Sequence, residues 1–559
     1  MKLSGADLTI KLLERQGVKT IIGIPGGANL PIYDSLYKSE IEHILSRHEQ
    51  GAAFMAQGIA RATGKAAVCF ATSGPGATNL ITAIADAKLD SVPVIAITGQ
   101  VPYSMIGTDA FQEVDTYGLT IPITKHNFLV RSIEELLDVI PRAFKIAQEG
   151  RPGPVLIDIP KDIQLAQIEI DLWPQAGEPS EKIEDYDIST IKEAANLINK
   201  AKKPILYIGG GIISGNAMSI IREFAEKSSI PVASTLMGLG AFPSDHPLYL
   251  SMIGMHGARY TNLLMHECDL LIAFGVRFDD RAIGDMTKFC PEAAIIHIDI
   301  DNAEINKIKT AHLSISGNIN IVLSTMLEHI NEDSRENWIK YVNEMKIKHP
   351  FVLPTDDDIL HPVNIIRYVS SVVPEDSIIA TDVGQHQMWV AQAYPFKRPR
   401  TLLTSGGLGT MGFGLPAAIG AAMAYPEKTV ICFSGDGSIL MNIQELATLA
   451  DLNLNVKVLI LNNGHLGLVR QQQEMFYGEH YIASKFITNP DFAVISNGFG
   501  VSGTDLGKKD NPMEALKQEL LKPGPALINI PIKADENVYP IVPPGKGNTE
   551  MVGGEYNAK

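Results

Sequence analysis

The stretch "FSGDGSILMNIQELATLADLNLNVKVLILNN", residues 433 to 463, decides how the chain folds. It opens on the end of an apolar run, turns at Gly435-Asp436-Gly437-Ser438, continues with helical spacing, and closes on a second apolar run that stops at Asn462-Asn463. That is the pattern of a parallel βαβ unit, whose two strands finish at one edge of the sheet. Asp436 and Asn463 stand 27 positions apart, and the unit brings them to that edge. A carboxylate and an amide carbonyl there suit a hard cation such as Mg²⁺, with diphosphate oxygens and water filling its other positions. The glycines let a phosphate approach the backbone closely, and the amides at the helix start favour an anion. Either GDG or NN alone is an ordinary turn. The pair, each following a strand, points to a metal–diphosphate site.

Working outward, similar apolar runs recur at "KTIIGIP", "AAVCFATSGP", "PVIAITG", "PVLIDIP", "PILYIGGG", "DLLIAFG", "AIIHIDID" and "ALINIPI". Continuous runs of this kind read as strands buried on both faces of a parallel sheet. Such sheets take ligands at the carboxyl ends of their strands. Two polar, Pro-bearing stretches interrupt the alternation, "LWPQAGEPSEKIEDYDIS" (172–189) and "HPFVLPTDDDILHP" (349–362), and both read as linkers. A chain of 559 residues is too long for one core. The breaks divide it into three α/β blocks, 1–170, 190–345 and 360–540, each expected to be a doubly wound parallel-sheet domain. A Pro/Gly-rich tail, 541–559, is expected to be irregular. No solenoid-type repeat is present.

Hydrophobic content of 45% and charged content of 20% fit a soluble globular protein. A net charge of -16 argues against nucleic-acid and anionic-membrane partners, yet leaves room for local cations around a small anionic substrate. Cys69, Cys268, Cys290 and Cys432 form no CxxC pair and read as reduced, buried thiols rather than disulfides or a zinc site. The N-terminal "MKLSGADLTIKLLERQG" has the spacing of a helix and resembles neither a signal nor a transit peptide. No run of about 18 apolar residues appears. The expected location is the cytoplasm.

GDG followed by NN at this interval resembles the metal–diphosphate motif of thiamine diphosphate enzymes. The three-block layout is similar too: a pyrimidine-binding domain, a middle domain and a diphosphate-binding domain. That family requires a glutamate in the first block, and "ILSRHEQGAAFMAQGIAR" supplies Glu49 at the start of an Ala/Gly-rich helix. The resemblance implies that Glu49 hydrogen-bonds N1′ of the aminopyrimidine and so tunes a proton equilibrium on the cofactor. A buried, partly protonated carboxyl serves that role. Without the motif, Glu49 would read as a helix N-terminal carboxylate.

Within that superfamily the chain resembles the large subunits of acetohydroxyacid synthase (acetolactate synthase). The likeness runs from about residue 4 to residue 552 and rests on "GIPGGANLPIYD", "ATSGPGATNL", "ITGQVPYSMIGTDAFQEVD", "TKHNFLV", "RPGPVLIDIPKD", "FGVRFDDR", "TDVGQHQMWVAQ" and "TSGGLGTMGFGLPAAIGAA". It implies a middle domain that holds FAD structurally, with no net redox step. The positions that match FAD contacts are Arg151, Gly209, Gly210, Gly211, Thr235, Leu236, Met237, Met255, His256, Gly275, Arg277, Asp279, Arg281, Asp299 and Ile300. Gly317-Asn318 departs from the family's "GD" and puts one adenine contact in doubt.

The resemblance further implies that pyruvate loses carbon dioxide and that its two-carbon unit passes to a second 2-ketoacid. Pyruvate then gives 2-acetolactate and 2-ketobutyrate gives 2-aceto-2-hydroxybutyrate, precursors of isoleucine, valine and leucine. Gly27, Gly384, Gln385, His386, Gly409, Gly435, Gly437, Ser438, Leu466 and Gly467 match thiamine diphosphate contacts, and Met411 matches the bulky residue that bends the cofactor. The backbone carbonyl of His465 joins Asp436 and Asn463 as an expected Mg²⁺ ligand; its imidazole is less suited, because Mg²⁺ prefers oxygen. Arg281 matches the cation for the acceptor carboxylate, where its planar fork fits. Lys161 and Gln112 match channel residues, while Ala28, Phe111 and Met255 match the apolar walls of the substrate pocket. The family builds its site from two subunits, which implies a homodimer or a dimer of dimers, and a small regulatory subunit binding valine.

In "GHLGLVRQQQEMFYGE" (464–479) Gln472 stands where the family usually has tryptophan, the residue that selects 2-ketobutyrate over pyruvate. Weak selectivity and poor binding of herbicides that stack on that ring are expected. Gln471 and Gln473 read as solvated neighbours. Two alternatives stay open: an FAD-free catabolic synthase or pyruvate oxidase, and a non-catalytic descendant of such an enzyme. Intact Glu49, Asp436 and Asn463 argue against the last, and Arg277-Phe278-Asp279-Asp280-Arg281 against the catabolic type.

Overall fold

A computed structural model of the chain describes residues 2–179, 187–354 and 358–554. Residues 180–186 and 355–357, inside the two stretches read as linkers, and residues 555–559 of the tail lie outside the described residues.

In the first block a short antiparallel pair, β1 (Lys2–Ser4) with β8 (Gln167–Glu169), ties the ends of the domain together. Between them run β2 (Thr20–Gly23), β3 (Glu42–Leu45), β4 (Ala67–Ala71), β5 (Val94–Gln100), β6 (His126–Leu129) and β7 (Val155–Pro160), a parallel sheet in the order β3-β2-β4-β5-β7-β6. The middle sheet holds β9 (Pro204–Ile208), β10 (Val232–Ser234), β11 (Tyr249–Met252), β12 (Leu270–Phe274), β13 (Ala294–Asp299) and β14 (Leu313–Ser316), in the order β11-β10-β9-β12-β13-β14. The last holds β15 (Ile378–Thr381), β16 (Leu402–Leu403), β17 (Val430–Gly435), β18 (Val456–Asn462), β19 (Ser502–Asp505) and β20 (Ala526–Pro531), in the order β16-β15-β17-β18-β20-β19. Counted within each domain, the outer sheets share the order 2-1-3-4-6-5, whereas the middle sheet follows 3-2-1-4-5-6. The outer domains therefore repeat one topology.

The apolar runs named above all form strands, and β4, β5 and β7 are buried along their whole length. In each domain the chain crosses from one side of its first strand to the other. That switch point lies between β2 and β4, between β9 and β12, and between β15 and β17. Doubly wound sheets bind ligands in the crevice that opens there. Gly27, Gly209–Gly211 and Gly384 follow the first strand of their domains directly or nearly so, and the GDG turn ends β17.

The outer domains of one chain share a core. The helices Glu49–Thr63 and Gly414–Ala424 pack backbone to backbone, because Gly58 and Gly420 carry no side chain. A Cβ on Gly58 would lie 2.2 Å from the Ala417 carbonyl oxygen, and one on Gly420 would lie 2.0 Å from that of Met55. The tail has little regular structure, but it is docked: Ile541, Val542, Asn548 and Met551 are buried. Its backbone bridges Gly284 through Gly547, its Lys546 carbonyl accepts from Asp285 N–H (3.0 Å), and its Glu550 pairs with Lys288 (2.6 Å). Composition hides this, because the apolar residues are spaced by prolines and glycines that fit no period. No described helix is long and apolar enough to cross a membrane.

Candidate active site

β17 and β18 pair in parallel, Gly435 opposite Leu461, so Asp436 and Asn463 leave the sheet at one edge. Asp436 is buried at the start of the helix Asp436–Ile439. Burial pushes its carboxyl up to about 6, against the Asn489 amide and the Asn463 and Gly464 N–H groups, which favour the ionised form. Asn489 Nδ2 donates to Asp436 (3.0 Å) and to Asn462 Oδ1 (2.6 Å). Asn463 Oδ1 accepts from His465 N–H (3.0 Å), and the His465 imidazole folds back on the Asn463 carbonyl (2.8 Å). The Nδ1 of the ring is thus engaged with backbone. Sequence reasoning missed Asn489, which lies in a loop with no motif.

The other wall begins after β15. Gly384 has φ 151° and leads into the helix Gln385–Ala393. The buried His386 ring lies against Gly384 and Gly435, where added Cβ atoms would sit 2.9 and 3.1 Å from it. Burial pushes the His386 pKa down to about 3, and its Nε2 has no partner among the described residues. A buried polar atom without a partner is costly, and a diphosphate oxygen is the kind of group this one lacks. An anion there would raise the depressed pKa. Ser438 Oγ, by contrast, is engaged locally, accepting from Gly435 N–H (3.0 Å). Gly467 leaves room for Gln385, whose Oε1 would lie 2.0 Å from an added Cβ, and Gly437 leaves room for Leu466.

Gln385 Nε2 donates to Gln471 Oε1 and to the Glu536 carbonyl, each at 3.0 Å. Gln471 is 0% exposed and also exchanges hydrogen bonds with Val538, accepting its N–H (2.9 Å) and donating to its carbonyl (2.8 Å). It is therefore not a solvated neighbour. Gln473 is likewise held, by the Ile482 carbonyl (2.8 Å) and Ser484 Oγ (2.6 Å). A run of three glutamines gave no sign of which face was buried. Gln472 between them is half-buried, and no hydrogen bond joins its amide to another described residue.

Gly409 has φ 70° and Met411 is half-buried in the segment that follows β16. The first domain pins this segment. Asp90 accepts from the N–H groups of Gly406 (3.0 Å) and Gly407 (2.7 Å), and Ser405 Oγ donates to Asp86 (2.8 Å). Arg61 spans both carboxylates, at 3.6 Å from Asp86 and 2.9 Å from Asp90. Burial, with the neighbouring Asp90 charge, pushes Asp86 up to about 7 despite Arg61.

Glu49 begins the helix Glu49–Thr63, capped by the His48 imidazole, and accepts from Asn79 Nδ2 (2.9 Å). It is half-exposed in the single chain, not buried as its expected role requires. Around Gly27, an added Cβ would meet nothing within 4 Å, so a ligand has free approach, while the Ala28 N–H is tied to Thr72 Oγ1 (3.3 Å). Phe111 is 87% exposed, and Gln112 has φ 58°, in a loop whose Gly107, Thr108 and Ala110 N–H groups converge on Glu113. Lys161 opens the helix Lys161–Leu165 directly after β7.

In the middle domain Gly209, Gly211 and Gly275 pack on one another, added Cβ atoms falling 2.3 to 2.5 Å from facing backbone, which lets the ends of β9 and β12 close at the switch point. Gly210 lies 3.4 Å (as Cβ) from Met237, next to Thr235, which caps the turn Leu236–Gly238. Asp279 caps the helix Asp280–Ile283. Burial pushes Asp299 up to about 6, while Ile300 is exposed. Arg151 bridges domains, pairing with Asp301 (3.1 Å) and Glu304 (2.6 Å). With Lys88, Lys125, Ile300 and Asp301 it lines a cleft of about 460 Å³. Its lining carries the cations Lys88, Lys125 and Arg151 beside the carboxylates Glu149 and Asp301. Arg277 comes close to Gly407. Arg281 is exposed, its Nη1 3.9 Å from Met255 Sδ. His256 is buried, its Nδ1 3.2 Å from the Pro540 carbonyl oxygen and its pKa pushed down to about 4 by burial. Asn318 caps the helix Ile319–Leu327, accepting from Asn320 N–H (2.9 Å), a task asparagine and aspartate share.

Comparison with known proteins agrees with this geometry. Models for the N-terminal, central and C-terminal domains of thiamine pyrophosphate enzymes match residues 3–119, 191–326 and 382–530. The chain is 55% identical to the acetolactate synthase isozyme 1 large subunit of Escherichia coli, covering 99% of this chain and 98% of that one. It is 47% identical to the isozyme 2 large subunit of the same organism (98% and 99% covered) and 46% identical to the chloroplastic acetolactate synthase of Arabidopsis thaliana (97% and 83% covered).

Proposed function

Because the chain belongs to the acetolactate synthase large subunits, enzymes dependent on thiamine diphosphate, we propose that it condenses two 2-ketoacids with loss of carbon dioxide. Pyruvate is the donor. A second pyruvate yields 2-acetolactate and 2-ketobutyrate yields 2-aceto-2-hydroxybutyrate, for branched-chain amino acid biosynthesis. The observation that carries the site assignment is the convergence of Asp436 and Asn463 on adjacent parallel strands beside the unpartnered Nε2 of His386.

When bound, thiamine diphosphate supplies the carbon nucleophile and the electron sink for decarboxylation. The chain's residues do the rest. Asp436, the Asn463 amide and the His465 carbonyl would hold Mg²⁺, and Gly384, Gln385, His386 and Gly435 would hold the diphosphate. Met411 would support the cofactor from the segment that follows β16. Glu49 would hold a proton at the pyrimidine ring. Arg281 meets the acceptor carboxylate, and Gln112, Lys161, Phe111, Ala28 and Met255 line its approach. The middle-domain crevice would hold FAD as a structural group. Glu49 and the diphosphate site come together across a homodimer or tetramer, and the relatives' designation as large subunits supports a small regulatory partner.

The test is to load the purified chain with thiamine diphosphate, Mg²⁺ and FAD and to follow acetolactate from pyruvate without oxygen. Formation of acetolactate with bound yellow flavin supports the reading; oxygen-dependent acetyl phosphate or acetate would contradict it.

A further inference from the structure

We infer that Glu445 is a positioning residue for Glu49, holding from the third domain the backbone that presents it. The inference rests on the role proposed for Glu49. Glu445 is 0% exposed. The Arg47 N–H donates to both its oxygens (3.1 and 3.2 Å), the His48 N–H donates to one of them (3.0 Å), and Thr448 Oγ1 donates to the other (2.7 Å). Arg47 and His48 directly precede Glu49. On the far side of Glu49, Asn442 Nδ2 donates to Gln50 Oε1 (3.2 Å). Gly51 is glycine where a Cβ would lie 2.4 Å from Glu445 Oε1. Residues 47, 48, 50 and 51 are thus all fitted to the segment 442–445, which follows the GDG turn.

A buried carboxylate is costly unless it is fully hydrogen-bonded. The domains already meet through the Gly58–Ala417 and Gly420–Met55 contacts, so adhesion does not require a charge. What Glu445 adds is direction. The Arg47 and His48 N–H groups, both held by one carboxylate, fix the peptide planes on either side of the Arg47 Cα, and with them the path of the chain into Glu49, whose side chain leaves toward Asn79.

The test compares the full chain with Glu445→Ala, Glu445→Gln, Gly51→Ala and Glu49→Gln. Three quantities are read: proton–deuterium exchange at C2 of bound thiamine diphosphate by quenched NMR, the cofactor dissociation constant, and backbone deuterium uptake over 46–52 in cofactor-free protein. Displacing a reacting group by a fraction of an ångström slows reaction steeply, so Glu445→Ala should slow C2 exchange about 10-fold or more, while cofactor affinity changes less than about threefold. Uptake over 46–52 should rise. Gln can keep its oxygen on the Arg47 and His48 N–H groups and give its amide to Thr448, so Glu445→Gln should restore exchange to within about threefold of wild type. Gly51→Ala should resemble Glu445→Ala and serves if that variant does not fold. Unchanged C2 exchange in Glu445→Ala overturns the inference, as does a loss that tracks cofactor affinity or that Gln leaves unrepaired. If Glu49→Gln itself leaves C2 exchange intact, the role of Glu49 falls and this inference with it; if only Glu445→Ala is silent, Glu49 keeps its role.

Discussion

Replacing Gln472 with tryptophan should turn a weakly selective enzyme into one that prefers 2-ketobutyrate. The two acceptors differ by one methylene. Fully buried, a methylene contributes about 0.8 kcal/mol, and pockets shaped for one reach about 1–3 kcal/mol. Gln472 is half-buried on the helix Gly467–Phe476, so an indole there should act near the low end, about 1 kcal/mol, or about fivefold. Its neighbours fix the frame: Gln471 is bound to Gln385 and Val538 and Gln473 to Ile482 and Ser484, so the helix has little freedom to rotate away. The assay supplies pyruvate and 2-ketobutyrate together and measures the ratio of the two acetohydroxyacids, corrected for acceptor concentrations. Wild type should lie within about threefold of parity, and Gln472→Trp should raise the ratio by about fivefold. A wild-type enzyme with strong preference for 2-ketobutyrate, or an active Gln472→Trp variant with an unchanged ratio, would refute the reasoning.

Gln471→Ala strips a buried residue of its bonds to Gln385 and Val538; leaving those partners unsatisfied should cost about 1–3 kcal/mol, seen as a lower Tm and weaker thiamine diphosphate binding. Asp86 has a folded pKa of about 7, well above its ordinary value, so its contribution to stability is fully present at low pH and is lost as pH rises through 7. The Tm difference between wild type and Asp86→Asn should therefore shift against wild type from about pH 4 to about pH 7 and level off above, and a pH-independent difference would count against it. Mixing inactive Glu49→Gln and Asp436→Ala chains, unfolded and refolded together, should restore about a quarter of wild-type sites if each site draws on two subunits of a symmetric dimer; no recovery would place both residues in one chain's site.

Much of the fold was legible because the βαβ pattern has few readings: long apolar runs and their Gly, Asp and Asn endings placed the GDG turn at the carboxyl edge of its sheet. Less visible were strands of four residues or fewer, such as β15 and β16, which are too short for periodicity to register. The repeated 2-1-3-4-6-5 topology left no sequence period, since what repeats is connection order. Glu445 and Asn489 were not singled out and Gln471 was read as solvated, because a helix glutamate, a loop asparagine and one of three glutamines gain meaning only from partners far along the chain. The docked tail was obscured for the same reason.

Carbon–carbon joining at the Glu49 and Asp436–Asn463 site is tested most directly with pyruvate labelled with ¹³C at its keto carbon. Incubated with the loaded enzyme and followed by ¹³C NMR, the labelled pyruvate should yield a product whose two labelled carbons are adjacent, the acetyl carbonyl and the hydroxyl-bearing carbon. Each signal would be split by the other, with release of unlabelled carbon dioxide. Only singlets, from acetaldehyde, acetate or unreacted pyruvate, would contradict it.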